Sequence, residues 1–234
     1  MKATHSATIR REMPAMKLKS LKITPLQILV HIGAWIPLAL LVVLYLNDGL
    51  GANPIQAATQ RMGKAALILL VLSLACTPLN SIFNFKQVLK VRRTLGLYAF
   101  MYAAIHFTFF IGVDYRFDFS LLWADIRSKA YVWVGFSAGL ILLALAITSF
   151  DWWKRRLKKN WKRLHRLVYL AGGLVIVHFA WAKKGSLAQL QGDIIQPILF
   201  GLLMLLLLGL RLKVVKQFIR SLVERLRRPP RAGD

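Results

Sequence analysis

Long apolar runs separated by basic segments leave this chain few folds to choose from. Runs long enough to cross ~30 Å of hydrocarbon as helix extend from Leu26 to Leu46, Lys64 to Leu79, Thr94 to Val113, Tyr131 to Phe150, Arg166 to Ala182 and Ile195 to Leu212. With 57% of its 234 residues hydrophobic, the chain is too apolar for an ordinary soluble domain. The sequence predicts an all-α membrane protein: a six-transmembrane-helix bundle over residues 26–212, flanked by basic tails at 1–25 and 213–234. Pro78 is expected to end the short second span. Pro37 is expected to kink the first unless neighbours serve the freed carbonyl. No internal repeat, linker or second domain is expected.

The formal charge of +24 could suggest a nucleic-acid binder. Its distribution argues for a membrane protein that binds no nucleic acid, because the basic residues sit between the apolar runs. The N-terminal tail, the segments 80–93 and 151–166, and the tail from Arg211 hold 26 of the 33 Lys and Arg. Translocated loops disfavour these residues, so those four segments, and with them both termini, are expected to be cytoplasmic. The runs Lys154-Arg155-Arg156 and Lys158-Lys159 serve as topology signals and contacts to anionic membrane lipids, and docking of a partner or cofactor is a second use open to them. Trp123, Trp152, Trp153 and Trp161 fall near the expected interfaces as an aromatic belt. The first apolar run lacks a small-residue cleavage site and reads as a retained anchor. The single cysteine, Cys76, rules out a disulfide framework.

Ionisable residues inside spans are costly, and here they are almost entirely histidines: His31, His106 and His178, with His165 at an inner boundary. The lack of a deep carboxylate argues against a proton- or cation-coupled transporter. Neutral imidazole suits axial ligation of haem iron, which puts little net charge in lipid. His106 is 12 residues past Thr94 and His178 is 12 past Arg166. Both therefore lie ~18 Å from the cytoplasmic face and can clamp one haem. His165 sits at the inner edge, where a second haem would have one ligand. His31, ~8 Å from the inside, is either the other ligand of that haem or a hydrogen-bonded packing residue. His165 and His178 are 13 residues apart, ~140° around an ideal helix, so two haems would require either a distortion or approach from different sides of it. Arg92, Arg93, Arg163 and Arg166 could pair with haem propionates or a flavin phosphate. The chain has no P-loop or dinucleotide fingerprint, so nucleotide-driven chemistry must come from another polypeptide.

The segment Arg92-Arg93-Thr94-Leu95-Gly96-Leu97-Tyr98 leading to His106-Phe107, and Trp161-Lys162-Arg163-Leu164-His165-Arg166-Leu167-Val168-Tyr169 leading to His178-Phe179, resemble the MsrQ family. These are haem-binding membrane subunits of bacterial periplasmic methionine sulfoxide reductase systems, within the ferric-reductase-like transmembrane group. Gly51-Ala52-Asn53-Pro54 and Thr77-Pro78-Leu79 extend the likeness over nearly the whole chain. Met62 and Asn80 stand where the family pattern has Thr and Arg. The resemblance implies the bacterial inner membrane, b-type haem, one or two, on His106, His165 and His178, and FMN. It also implies a cytoplasmic flavin reductase or quinol as donor, and a periplasmic molybdenum-containing methionine sulfoxide reductase catalytic subunit as acceptor. The chain alone would not reduce the sulfoxide. A ferric-reductase-type cytochrome acting on external metal, or a cofactor-free transporter or scaffold, are the alternatives.

Overall fold

The computed structural model describes residues 23–183, 195–212 and, beyond these, 214, 215, 217, 218 and 221. Among them every regular element is helical: α1 (Pro25–Leu46), α2 (Pro54–Phe83), α3 (Val88–Thr108), α4 (Phe119–Ile126), α5 (Ala130–Ile147), α6 (Asp151–Leu157), α7 (Lys159–His165), α8 (Leu167–Ala182) and α9 (Ile195–Gly209). A π-helical turn, Phe109–Asp114, extends α3 directly beyond the turn that carries His106. Five helical segments are long and apolar enough to cross a membrane: α1, α2, α3 with its π turn, α5, and α7 with α8. The sixth apolar helix, α9, has 15 residues. The basic tails lie almost wholly outside the described residues.

Helix starts follow from local capping. Pro25 opens α1, and the Gln27 side chain accepts from the Thr24 N–H at 2.8 Å and from its hydroxyl at 3.0 Å. Asn53 caps α2 by accepting from the Gln56 N–H at 3.1 Å, with Pro54 as the first helical residue. The second helix thus begins well before Lys64. The third begins at Val88, so Lys90, Arg92 and Arg93 are helical residues and not a loop. Hydropathy marks where lipid begins; capping marks where hydrogen bonding begins.

Pro78 does not end α2, which runs through it to Phe83. A proline removes the donor for the carbonyl four residues back, here that of Leu74. Arg211, just past α9, donates from Nη2 to that carbonyl at 2.5 Å, and from Nη1 to the Tyr169 hydroxyl. One guanidinium therefore ties the end of α9 to α2 and α8 while replacing the missing donor. Pro37 does not end α1, which continues to Leu46; in the turn before the proline the Tyr102 hydroxyl donates to the Ala34 carbonyl at 2.5 Å and ties α3 to α1.

The most intimate helix pairs are α2 with α3 and α5 with α8; α3 meets α5, α9 lies on α8 and α2, and α1 lies on α2 and α3. Half of the α2 span (50%) is buried, against 11% of α1, so α2 is the central helix and α1 a peripheral one. Met62, Leu67, Leu74 and Tyr102 form the tightest part of the core. On α1, Leu29, Ile32 and Ile36 each leave more than half of their surface uncovered. Such a continuous apolar exterior is an aggregation hazard in water and the correct surface in lipid. The chain is a multi-pass membrane protein.

Candidate functional site

The two tightest hairpins build the site. On α3, His106 points Nδ1 at the Thr59 carbonyl of α2, 2.8 Å away; on α8, His178 points Nδ1 at the Tyr131 carbonyl of α5, also 2.8 Å away. A carbonyl only accepts, so Nδ1 carries the proton in both rings and each Nε2 keeps its lone pair. Metal-binding histidines are held this way: the outer nitrogen on a backbone acceptor, the inner one free. In both hairpins the histidine and the carbonyl are 47 residues apart. Thr59, Gly63 and His106 recur 72 residues later as Tyr131, Gly135 and His178. The correspondence is confined to these three positions: a histidine, a glycine and a backbone carbonyl, of which only the first is a side chain that a sequence comparison would register.

The two imidazoles expected at one depth lie with ring centres 6.1 Å apart and planes at 80°. Metal–imidazole bonds of ~2 Å, with each ring centre ~1.1 Å beyond its nitrogen, require ~6.3 Å for rings on opposite sides of one metal. The geometry fits. Among the described residues no group of three or more His, Cys, Asp or Glu could hold a bare ion. Two imidazoles alone suit an iron whose other four positions a porphyrin fills.

The opposite, basic end of the bundle is built differently. His165 closes α7 and stacks on Trp161, with ring centres 4.1 Å apart. Its Nε2 lies 3.2 Å from the Thr148 hydroxyl, whose own proton goes to the Ala144 carbonyl at 2.6 Å. At Arg166 the helix tightens: the Arg166 and Tyr169 N–H groups each bond three residues back, at 3.1 Å. Arg92 donates to the Thr77 hydroxyl at 3.2 Å, and Arg93 lies over the Phe150 ring, 5.8 Å from its centre. Exposed Arg163 and Arg166 line a cavity of about 530 Å³ with Lys158, Lys159 and Lys162. His31 hydrogen-bonds the Tyr98 hydroxyl at 2.8 Å, so the partners of His31 and His165 have no residue in common. His5 lies outside the described residues.

Residues 62–177 match the family model described as "Ferric reductase like transmembrane component", a stretch that includes His106 and His165 and ends one residue before His178. The chain is 39% identical over 191 residues to the protein-methionine-sulfoxide reductase heme-binding subunit MsrQ of Herminiimonas arsenicoxydans, covering 81% of this chain and 85% of that protein. The chain belongs to the MsrQ family. Proteins of the same name from Xanthomonas axonopodis pv. citri and Bordetella pertussis are 41% and 37% identical, over 78% and 85% of this chain and 84% and 94% of their own lengths. No solved structure matches the chain closely. Membrane electron transfer is the role this family membership supports.

Several residues at the site give no signal as side chains: Thr59 and Tyr131 act through their backbone carbonyls, and Gly63 and Gly135 through having no side chain. Their equal spacing of 43 residues before each histidine is the one sequence signal that could have revealed the glycines. Arg211 was counted only as tail charge, although its side chain returns to the bundle.

Proposed function

We propose that the chain is the haem b-binding, electron-transfer subunit of a methionine sulfoxide reductase system in a bacterial inner membrane. The observation that carries this reading is the pair of imidazoles 6.1 Å apart, each with Nδ1 on a backbone carbonyl. His106 and His178 would hold the haem iron, while Thr59 and Tyr131 fix the tautomer and aim the rings. Haem bound there supplies one-electron redox chemistry at a fixed depth in the bundle. The protein contributes position, exclusion of water and tuning of potential, and no side chain has to move a proton.

The reading includes six crossings with both termini cytoplasmic, supported by the charge bias and by the apolar α9. Reporter fusions after Lys184 and at the C-terminus should lie on opposite sides; the same side for both would remove this topology. At the basic end, Arg92 and the cavity beside Arg163 and Arg166 provide cations for haem propionates or for the phosphate of FMN, and His165 is the ligand of a second haem. Electrons enter from a cytoplasmic flavin reductase or quinol and leave to a periplasmic, molybdenum-containing catalytic subunit.

Purification with a haem and flavin count tests the cofactors. Reconstitution with that catalytic subunit tests the function. Methionine sulfoxide should be consumed only when both proteins and a donor are present. Turnover by the membrane protein alone, or a preparation without haem, would overturn the proposal.

A further inference from the structure

In an α-helix the carbonyl of residue i points along the axis at the N–H of residue i+4, and its second lone pair remains available. A side chain that hydrogen-bonds this carbonyl from outside the helix must therefore lie over residue i+4. Gly63 is four residues after Thr59, and Gly135 four after Tyr131. A methyl carbon at Gly63 would stand 3.0 Å from Nδ1 and 3.2 Å from Cε1 of His106. At Gly135 it would stand 2.6 Å from Nδ1 and 2.7 Å from Cε1 of His178, closer than carbon can approach. Two glycines on the site's helices provide the contrast: Gly139 on α5 and Gly173 on α8 would each meet nothing within 4 Å.

We propose that Gly63 and Gly135 are positioning residues, twin seats on α2 and α5 that set how far His106 and His178 stand apart. This rests on the reading of the two histidines as axial ligands. Each ring lies against the bare backbone of its seat, held there by the carbonyl one turn earlier. Filling a seat drives the ring off its carbonyl and toward the other ring, spoiling a separation that metal ligation tolerates only to ~0.2 Å. The two seats are unequal, Gly135 being the tighter.

A glycine that only fills a helix behaves in the opposite way, because alanine is the better helix former and its substitution helps or is neutral. Full-length Gly135→Ala, Gly63→Ala, Gly139→Ala and Gly173→Ala should be purified and compared for haem content, low-spin signal and midpoint potential. Gly135→Ala should lose more than roughly half of the low-spin haem of the outer site, Gly63→Ala less, with a shifted potential, and the other two none. Wild-type spectra and potential in Gly135→Ala would overturn the proposal.

Thermal stability of the haem-free protein provides an independent arm. Gly135→Ala should lower its Tm, and the same substitution in a His178→Ala background should not, since the clashing ring is gone. An equal loss of Tm in both backgrounds would place the clash elsewhere and reject the seat. If the cycle behaves as expected but no preparation binds haem, the seat stands and the haem reading fails.

Discussion

The two ends of the bundle use the same residue type in opposite ways. At the His106–His178 end, each imidazole gives its Nδ1 proton to a main-chain carbonyl, and the two ring centres stand 6.1 Å apart. At the basic end, His165 has its Nε2 on the Thr148 hydroxyl and its face on Trp161. The first arrangement puts Nδ1 of both rings on the backbone and leaves Nε2 for the shared iron proposed above; the second puts Nε2 on a side-chain hydroxyl and leaves Nδ1 as the nitrogen for the second haem proposed there. Histidine inside a span is thus only a sign of function, and what faces each ring nitrogen decides the kind.

The largest effect should come from breaking the pair. His106→Ala or His178→Ala leaves one imidazole without its counterpart, so the haem should be lost or become high-spin, read from the oxidised spectrum and the haem-to-protein ratio. Wild-type spectra in either variant would remove the pair from the account. His165→Ala sharpens the contrast, since it should leave the low-spin signal of the outer site intact. If the protein holds two haems, it should also remove about half of the total absorbance. Collapse of the outer signal in His165→Ala would mean that the two ends are not independent.

A smaller effect belongs to the clamp at the basic end. Arg211→Met removes the donor that replaces the Pro78 N–H, leaving the Leu74 carbonyl without its partner, at a cost of about 1–3 kcal/mol. Denaturation in detergent should show this loss, and Arg211→Lys should restore only part of it, because Lys cannot serve two acceptors with a planar fork. An unchanged transition would show that the carbonyl finds another donor.

The smallest effect lies in the connection between α3 and α5. Asp125 accepts from Tyr115 and from Lys129, its ion-pair partner. The hydrogen bond from Lys129, followed by that from Tyr115, holds the Asp125 carboxyl below its ordinary range. Burial, then the hydrogen bond to Asp125, pushes the Tyr115 phenol up to about 12. Because the folded value of Asp125 is depressed, its contribution is complete above the ordinary Asp pKa of ~3.9 and disappears as pH falls through the lower folded value. Protection from hydrogen exchange over residues 115–129, relative to the unstructured rate at each pH, should therefore hold steady from pH 7 to 5 and fall in stronger acid. Asp125→Asn should lose up to ~1 kcal/mol at neutral pH and show little further change on acidification. An equal acid response in Asp125→Asn would assign the titration to another group.

The apolar runs made the helical membrane fold legible, together with the five helices that, among the described residues, are long and apolar enough to cross, because lipid imposes one periodicity-independent demand on every span. His106 and His178 stood out because an ionisable group within an apolar span has few bland explanations, and counting 12 residues from the apolar edges at Thr94 and Arg166 paired them, although neither edge is where its helix starts. The course of α2 through Pro78 was not legible, because it depends on Arg211, 133 residues further along the chain. Thr59, Tyr131, Gly63 and Gly135 stayed invisible for a related reason. Their contribution is a backbone oxygen or an empty volume, and neither leaves a mark in composition or hydropathy.

Low-temperature electron paramagnetic resonance of the oxidised, purified protein tests the central claim most directly. Imidazole planes at 80° leave two iron d orbitals nearly equal in energy, so one iron held by His106 and His178 should give a strongly anisotropic low-spin signal that vanishes in either alanine variant. A high-spin signal in the wild-type protein, or a low-spin signal that survives His178→Ala, would contradict it.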